Sequence, residues 1–272
     1  KLLISLLYCN KIRMDIQNLY SLFQSSNGVS IDSRSIEKDE IFFSIKGENF
    51  DGNRFALDAI DKGAKFSIVD DPQLKNKNER IIFVENSLKE LQNLSKFNRS
   101  KFDVKVIGLT GSNGKTTTKK LICSILSEKY KTLCTHRNLN NHIGVPLTLL
   151  NIKPETEVAV IEMGANHIGE IAFLTDLVKP DYGYITNFGK AHLEGFEGIK
   201  GVIKGKTELY NWLIENNKPI LINSDDETQS KFTNSQSILF GKKINSQFVF
   251  KEFSKDFISV GYNYLFVDDK LL

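Results

Sequence analysis

Hydrophobic residues in the first hundred positions follow two periods, which predicts a small unit of mixed helices and strands. Apolar side chains recur at helical spacing over residues 16–23, and the Ser-Ser-Asn-Gly run at 25–28 interrupts them. Short strands are predicted at 41–45, 66–69 and 81–84, and helices near 55–60 and after Ser87, which is interpreted as an N-cap. We expect these elements to form one domain of residues 14–100.

From residue 101 onwards, apolar strands alternate regularly with amphipathic helices. Strands are predicted at 104–109, 132–134, 158–161, 182–186 and 220–222, and helices at 115–128, 146–150, 168–178 and 199–212. This alternation predicts a mainly parallel sheet with helices on both faces. Later segments are β-rich, at 237–240, 248–250, 257–260 and 264–267. The expected fold class is α/β, with a small mixed α/β N-terminal domain followed by a central domain of residues 101–272.

The composition is that of a globular protein without a basic surface. Hydrophobic residues make up 40% and charged residues 25% of the 272 positions, and the net charge is only +3. Because the lysines are scattered among 33 acidic residues, nucleic acid is not expected as a partner. The three cysteines, Cys9, Cys123 and Cys134, form no CxxC pair, so we interpret them as free thiols in a reducing compartment.

The N-terminal residues 1–13 contain a short apolar run at 2–7. This run is too short to span a bilayer, and no small-residue cleavage site follows it. We interpret residues 1–13 as an over-extended start before Met14, the alternative being a targeting signal. Stable membrane insertion is not expected.

The most informative stretch is a glycine-rich turn between a predicted buried strand and a helix. Gly111 and Gly114 allow several backbone N–H groups to point at one anion, beside the positive end of the helix. Lys115 is expected to reach the β- and γ-phosphates of a nucleotide, and the Thr116 hydroxyl to bind Mg²⁺. The loop is a variant P-loop, because Leu109 stands where the common pattern begins with glycine. The predicted nucleotide-binding residues are Gly111, Ser112, Asn113, Gly114, Lys115, Thr116 and Thr117.

The alternative for this turn is a plain glycine bend followed by an ordinary lysine. A second candidate, Glu162, follows the apolar run 158–161 and so lies at the carboxyl end of a buried strand, where parallel sheets form their ligand crevice. A carboxylate there suits Mg²⁺, whereas the alternative is a capping or salt-bridging glutamate. On residue chemistry alone, His192 is a hydrogen-bonded structural histidine and Lys206 a solvated lysine.

Several long stretches resemble one known family, the Mur ligases. The family's nucleotide loop is similar to residues 110–119, and its D-alanyl-D-alanine-adding branch is similar to residues 138–150, 162–171 and 186–196. Residues 32–34 and 43–52 resemble the UDP-sugar-binding domain of that branch. The resemblance is collinear from about Met14 to Asp226. The chain departs from the family at Arg137, where members usually have glycine, and at Lys190, where they usually have proline.

The resemblance implies roles that the residues alone do not. It makes His192 a metal ligand, and it implies that Lys206 carries a carbamate, which replaces a cation by an oxygen-ligating anion. Lys204 is the nearby rival for that modification. The implied catalytic residues are Lys115, Lys206, Glu162 and His192, and the implied ligands of two Mg²⁺ ions are Thr116, Glu162, His192 and Lys206.

Candidate substrate residues follow from the same resemblance. Ser33, Arg34, Glu48, Asn49 and Phe50 are expected to face the uridine nucleotide, while Asn140 and Asn141 orient the muramoyl-peptide. The alternative at each of these positions is a plain turn residue.

The activity implied by the resemblance is ATP-dependent formation of an amide bond through an acyl phosphate. The implied partners are UDP-N-acetylmuramoyl-tripeptide and D-alanyl-D-alanine, and a cytoplasmic monomer is expected. The family's third domain has no counterpart before Leu272, so we expect the chain to be an inactive fragment. Two alternatives remain: a related ligase that adds the third amino acid, and an ATP-binding module without ligase activity.

Overall fold

The computed structural model describes residues 14–190, 194–242, 246–253 and 258–262. They form two compact units. The first unit extends to Asp103 and also includes His142–Glu155, whereas the second comprises Val104–Asn141 and the chain from Thr156 onwards. The predicted α/β class is confirmed, because parallel sheets flanked by helices form the main body of each unit. Residues 1–13, interpreted above as an over-extended start, lie outside the described residues.

The first unit is built on a four-stranded parallel sheet in the order β1-β2-β5-β6. Its strands are β1 (Val29–Ser30), β2 (Ile41–Phe43), β5 (Phe66–Val69) and β6 (Ile81–Phe83), and the separate hairpin is β3 (Lys46–Gly47) with β4 (Phe50–Asp51). Its helices are α1 (Ile16–Gln24), α2 (Ala56–Asp61) and α3 (Ser87–Arg99), with 3₁₀ turns at Gly52–Phe55 and Pro72–Leu74.

Residues 142–155, which were predicted within the central domain, pack with the first unit. They contain α5 (Gly144–Leu150), and its Leu150 joins the same buried cluster as Leu91 and Leu94 of α3. The Asn98 side-chain amide, which is buried, donates to the carbonyl of Leu149 at 2.9 Å. The end of α5 therefore supplies the hydrogen-bond acceptor for this buried amide, which explains why residues 142–155 belong to this unit.

The second unit is built on an eight-stranded sheet in the order β14-β13-β12-β11-β10-β7-β9-β8. All neighbours are parallel except β13 and β14. The strands are β7 (Lys105–Thr110), β8 (Thr132–Cys134), β9 (Val158–Glu162), β10 (Tyr182–Ile185), β11 (Ile220–Asn223), β12 (Ile238–Gly241), β13 (Phe248–Phe253) and β14 (Ile258–Tyr262). The helices are α4 (Lys115–Ser127), α6 (Glu170–Val178), α7 (Ile199–Glu215) and α8 (Glu227–Ser230).

The central strands of this sheet read as apolar runs because helices cover both faces. All five residues of β9 are buried. Since β7, β9 and β10 are adjacent and parallel, their carboxyl ends meet at one edge, where Leu109 pairs with Glu162 and Thr110 with Ile185. The sheet thus places the glycine-rich turn beside Glu162.

Two further sequence-based predictions differ from the structure. The N-cap of α3 is Asn86 rather than Ser87, since the Asn86 side chain accepts from the backbone N–H of Lys89. The free-thiol interpretation is wrong for Cys123 and Cys134, which form a disulfide because α4 packs on β8 and brings their Cα atoms to 6.4 Å. Cys9 and the predicted strand at 264–267 lie outside the described residues.

Candidate functional site

The turn between β7 and α4 is a tight loop that requires glycine at its first position. Gly111 has a φ of 140°, and a Cβ there would collide with the Thr186 hydroxyl. Gly114, with a φ of 77°, caps α4. The first backbone N–H groups of α4 have no partner within the helix and carry its positive dipole, so this end of α4 is suited to an anion.

The segment after β10 holds the loop in place. The backbone N–H of Ser112 donates to the carbonyl of Asn187 at 3.0 Å, and the Ser112 hydroxyl donates to the carbonyl of Gly189 at 2.8 Å. The carbonyl of Asn113 accepts from the Thr186 hydroxyl and the Asn187 side-chain amide. These bonds fix the loop backbone from outside the loop.

Lys115 folds back over the loop. Its ammonium donates to the carbonyls of Gly111 at 2.8 Å and Ser112 at 3.1 Å. Burial lowers the pKa of Lys115, and the negative charge of Glu162 opposes that shift. The ammonium therefore already lies within the electrostatic field of the carboxylate at the end of β9.

Glu162 is the centre of this arrangement, with only 1% of its surface exposed. The Thr116 hydroxyl lies 3.3 Å from its Oε1 and 3.2 Å from its Oε2. The Asn140 side-chain amide donates to Oε1 at 2.8 Å, and the Lys119 ammonium lies 3.0 Å from Oε2. Glu162 thus has the salt bridge named above as an alternative, and it also contacts the predicted Mg²⁺-binding hydroxyl.

Lys119 is a member of this cluster that the sequence interpretation missed. Its side chain is 4% exposed, and besides Glu162 its ammonium binds the carbonyl of Arg137 at 2.7 Å. Arg137 has a positive φ of 47°, the left-handed conformation that glycine adopts without strain. A usable signal was the helical spacing, because residues three and four positions apart, such as Thr116 and Lys119, lie on one face of α4.

Asn140 is fixed from both sides. Its side-chain amide binds Glu162, while its carbonyl accepts from the backbone N–H of Gly164 at 2.7 Å. A Cβ on Gly164 would lie 2.9 Å from the Asn140 side chain, so the close approach requires glycine. The structure therefore gives the Asn140 side chain a partner within the site, and Asn141 beside it is exposed.

Lys206 is buried, so the solvated-lysine alternative is wrong, whereas its rival Lys204 is exposed. The Lys206 ammonium donates to the carbonyl of Ala165 at 3.0 Å and lies 5.0 Å from the centre of the Phe196 ring. Burial, reinforced by the positive charge of Lys115, lowers the pKa of Lys206 to about 8. A larger fraction of this amine is therefore neutral near pH 7 than of an exposed lysine.

The donors around Glu162 fit a magnesium ion bound together with phosphates. Mg²⁺ prefers oxygen and commonly uses one or two carboxylates, with water and substrate phosphates completing its shell. The Glu162 carboxylate and the Thr116 hydroxyl supply such oxygens. Within the part of the chain that the structure describes, no group of three or more His, Cys, Asp or Glu side chains forms a metal cage. His192, the other implied ligand, lies outside the described residues.

The candidate substrate residues of the first unit form a different kind of surface. Ser33 is buried, whereas the Arg34 guanidinium is 85% exposed and pairs with Asp32, holding the pKa of that carboxyl down at about 2 through hydrogen bonding. Glu48, Asn49 and Phe50 are exposed on the hairpin. The Phe50 ring is 54% exposed and stacks on Phe55 at 5.4 Å. An exposed, flat aromatic pair is suited to stacking with a planar ring.

Family models of known proteins match two stretches of this chain. The family model described as the Mur ligase middle domain matches residues 109–267, and that described as the Mur ligase family catalytic domain matches residues 25–99. The chain belongs to the Mur ligase family. The glycine-rich loop of this chain lies at the start of the first match.

The curated relatives within the Mur ligase family are longer than this chain. The UDP-N-acetylmuramoyl-tripeptide–D-alanyl-D-alanine ligase of Bacillus subtilis is 36% identical over 84% of this chain and 50% of its own length. The ligase of the same name from Escherichia coli is 40% identical over 80% of this chain and 47% of its own length. The chain therefore spans about half the length of these relatives.

Solved Mur ligase structures have the same fold. A crystal structure of MurF from Acinetobacter baumannii aligns with a TM-score of 0.76 and 32% identity, over 87% of this chain and 55% of the other. MurF ligase from Thermotoga maritima, solved in complex with ADP, aligns with a TM-score of 0.72 and 30% identity, over 88% of this chain and 54% of the other.

Among the described residues, no helix is both long and apolar enough to cross a bilayer.

Proposed function

We propose that this chain forms the nucleotide- and UDP-sugar-binding part of an ATP-dependent ligase that joins D-alanyl-D-alanine to UDP-N-acetylmuramoyl-tripeptide in peptidoglycan synthesis. The observation that carries the proposal is the contact of the Thr116 hydroxyl with Glu162, beside the ammonium of Lys115. This contact brings the glycine-rich loop, proposed to bind phosphate, and the carboxylate proposed to bind the metal to one edge of the sheet. The curated relatives are named as ligases of UDP-N-acetylmuramoyl-tripeptide and D-alanyl-D-alanine, which supports these two substrates for this chain.

In the proposed reaction, the terminal carboxylate of the tripeptide attacks the γ-phosphate of ATP, and ADP leaves. The resulting acyl phosphate is attacked by the amine of D-alanyl-D-alanine, which releases phosphate and forms the amide bond. No side-chain nucleophile is required, so the protein acts by positioning and by neutralising charge. The backbone N–H groups of residues 111–116 and the Lys115 ammonium serve the phosphates.

Mg²⁺, when bound, neutralises the charge that develops on the transferred phosphoryl group. Glu162 and Thr116 are the described residues that would hold it. We include His192 as a further ligand because residues 186–196 resemble the family motif. Lys206 is proposed to carry a carbamate, since it is buried and its lowered pKa leaves neutral amine to react with carbon dioxide, whereas Lys204 is exposed to solvent. With that modification Lys206 would contribute oxygen ligands to a second Mg²⁺.

The substrate residues are assigned by unit. Ser33, Arg34 and the hairpin residues Glu48, Asn49 and Phe50 are proposed to bind the uridine nucleotide, with Phe50 and Phe55 offering a ring surface. Asn141 is proposed to contact the muramoyl-peptide directly. Asn140 is proposed to orient the muramoyl-peptide indirectly, because its hydrogen bond to Glu162 holds the loop in place.

The protein is also proposed to be a monomer. A cytoplasmic location is part of the proposal, because ATP and nucleotide sugars are cytoplasmic substrates. The disulfide between Cys123 and Cys134 counts against that location, since disulfides are rare in reducing compartments. Counting thiols in protein isolated under alkylating conditions tests the location: two protected cysteines would contradict it.

The activity test uses the gene product that contains this chain. With ATP and the tripeptide precursor present, phosphate release is expected to depend on D-alanyl-D-alanine and to fall at least about a hundred-fold in Lys115→Ala. Lys120→Ala is the matched control, because Lys120 is exposed on the same helix. Release that is independent of the dipeptide would favour an ATP-binding module, and unchanged activity in Lys115→Ala would refute the assignment of the loop.

A further inference from the structure

The cluster around Glu162 contains a cation whose role the proposed reaction does not explain. Lys119 is as deeply buried as the carboxylate, with side-chain exposures of 4% and 1%. Its ammonium is held by two oxygens, Oε2 of Glu162 at 3.0 Å and the carbonyl of Arg137 at 2.7 Å. A buried lysine with two such bonds is fixed rather than mobile, so its positive charge stays beside the carboxylate.

Both oxygens of Glu162 are occupied by donors. Asn140 donates to Oε1, Lys119 binds Oε2, and the Thr116 hydroxyl lies within 3.3 Å of both. A free divalent cation that approached Glu162 would have to displace one of these donors. It would also sit within a few ångströms of the Lys119 ammonium, with Lys115 close enough to interact with the same carboxylate.

The local charge balance therefore opposes a metal ion that arrives alone. Among the described residues, two lysines act on Glu162, and no further His, Cys, Asp or Glu side chains complete a metal cage. Like charges repel strongly where water is excluded and screening is weak. A nucleotide changes this balance, because its phosphates bring several negative charges to the end of α4.

We propose that Lys119 prevents Glu162 from binding a free divalent cation, so that the metal enters this site only together with the nucleotide. The inference rests on the proposed function, since it takes Glu162 as the metal-binding carboxylate. In this role Lys119 is a positioning residue: it holds the carboxylate for the ion and sets the condition under which the ion binds.

The experiment measures binding of Mn²⁺, as a paramagnetic substitute for Mg²⁺, to the 272-residue chain by electron paramagnetic resonance. Bicarbonate-free buffer keeps Lys206 unmodified. The unaltered chain is expected to bind Mn²⁺ weakly alone and at least about ten-fold more tightly with ADP. Lys119→Gln keeps a donor for the Arg137 carbonyl but removes the charge, so it is expected to bind Mn²⁺ without ADP at least about ten-fold more tightly than the unaltered chain.

Two matched variants separate charge from structure. Lys119→Arg retains the charge and is expected to keep Mn²⁺ binding weak in the absence of ADP. Lys120→Gln removes one positive charge from an exposed position of the same helix and is expected to change nothing. A purely structural role for Lys119 would weaken or preserve metal binding in Lys119→Gln, whereas only the electrostatic role strengthens it.

The proposal is overturned if Lys119→Gln, folded by circular dichroism, binds free Mn²⁺ no more tightly than the unaltered chain. It is also overturned if the unaltered chain binds Mn²⁺ equally well with and without ADP, a comparison that remains decisive should the variant not fold. If the unaltered chain does not bind ADP at all, the proposed function fails as well. If ADP binds but the affinity for Mn²⁺ is the same with and without ADP, only the role of Lys119 is refuted.

Discussion

The Glu162 cluster of the second unit and the β3–β4 hairpin of the first unit present two opposite kinds of candidate site. The side chains of Thr116, Lys119 and Asn140 all contact the Glu162 carboxylate, and both members of the ion pair with Lys119 are buried. On the hairpin, Glu48, Asn49 and Phe50 are exposed, and the ring of Phe50 contacts Phe55 beside it. The Glu162 cluster is a preformed, buried arrangement, whereas the hairpin is an exposed surface.

This difference determines how far each assignment can be argued from structure. Removing a carboxylate and an ammonium from water costs free energy, which their pairing and hydrogen bonds only offset, so a buried cluster of this kind is a candidate for function by its geometry. An exposed hairpin costs little and is compatible with many roles. The uridine assignment therefore depends on the family resemblance, whereas the magnesium assignment also stands on distances.

The largest expected effect concerns the buried ion pair. Glu162→Gln leaves the Lys119 ammonium buried without an anion, which is expected to lower the free energy of unfolding by about 3 kcal/mol or more. Urea denaturation of the chain measures this loss. Glu128→Gln, an exposed change at the end of the same helix that carries Lys119, is the control and is expected to stay within about 0.5 kcal/mol.

The double variant Glu162→Gln with Lys119→Met sharpens this prediction. Because it removes both charges, it is expected to be more stable than Glu162→Gln alone. With the single variant Lys119→Met measured as well, the cycle is expected to give a coupling energy of about 1 kcal/mol or more. Additive losses would mean that the two side chains do not form the pair, and the contrast with the hairpin would lose its basis.

A smaller effect is expected from Lys206 as the pH changes. Its pKa is about 8 in the folded chain and near 10.5 when unfolded, so between these values the unfolded state binds more protons. The unaltered chain should therefore gain stability relative to Lys206→Met as pH rises from 8 to 10.5, by at most about 3 kcal/mol. Unfolding measured in bicarbonate-free buffer tests this, with Lys204→Met as the exposed control. A flat difference across that pH range would contradict the burial of the amine.

The smallest effect on stability is expected on the hairpin. Phe50→Ala removes a side chain that is already 54% exposed, so the free energy of unfolding should fall by less than about 1 kcal/mol. Binding of UDP, followed by calorimetry, should weaken about ten-fold if its ring stacks there. Leu57→Ala, at another exposed apolar position of the same unit, should leave UDP affinity unchanged. Equal losses in both variants would indicate that the hairpin is not the uridine site.

The sequence predicted the fold well wherever a periodic pattern was continuous. The strands at 66–69 and 132–134 have the predicted bounds, and the helix that begins at Lys115 was predicted to within one residue at its end. The packing of 142–155 with the first unit was missed, because it depends on tertiary partners such as the Asn98 amide. The disulfide was missed for the same reason, since an odd number of cysteines says nothing about which helix lies on which strand.

The candidate site was predictable in part. Glycine spacing and the strand end at Glu162 indicated the loop and the carboxylate, because both follow from chain connectivity. Lys119 was not found, since a lysine on a helix is normally solvated and only the packing of α4 on β9 buries it. The preference for Lys206 over Lys204 came from the family resemblance, and burial now gives it a physical reason.

The central claim is that the glycine-rich loop and Glu162 hold one magnesium–nucleotide complex. Its most direct test is a double-mutant cycle of Thr116→Val and Glu162→Gln, in which ADP affinity is measured with and without Mg²⁺. Each single variant is expected to lose most of the gain in ADP affinity that Mg²⁺ provides. The double variant is expected to lose no more of this gain than the single variant that loses more of it. If the two losses simply add, or if either variant keeps the full magnesium effect, the two side chains do not share an ion and the account is contradicted.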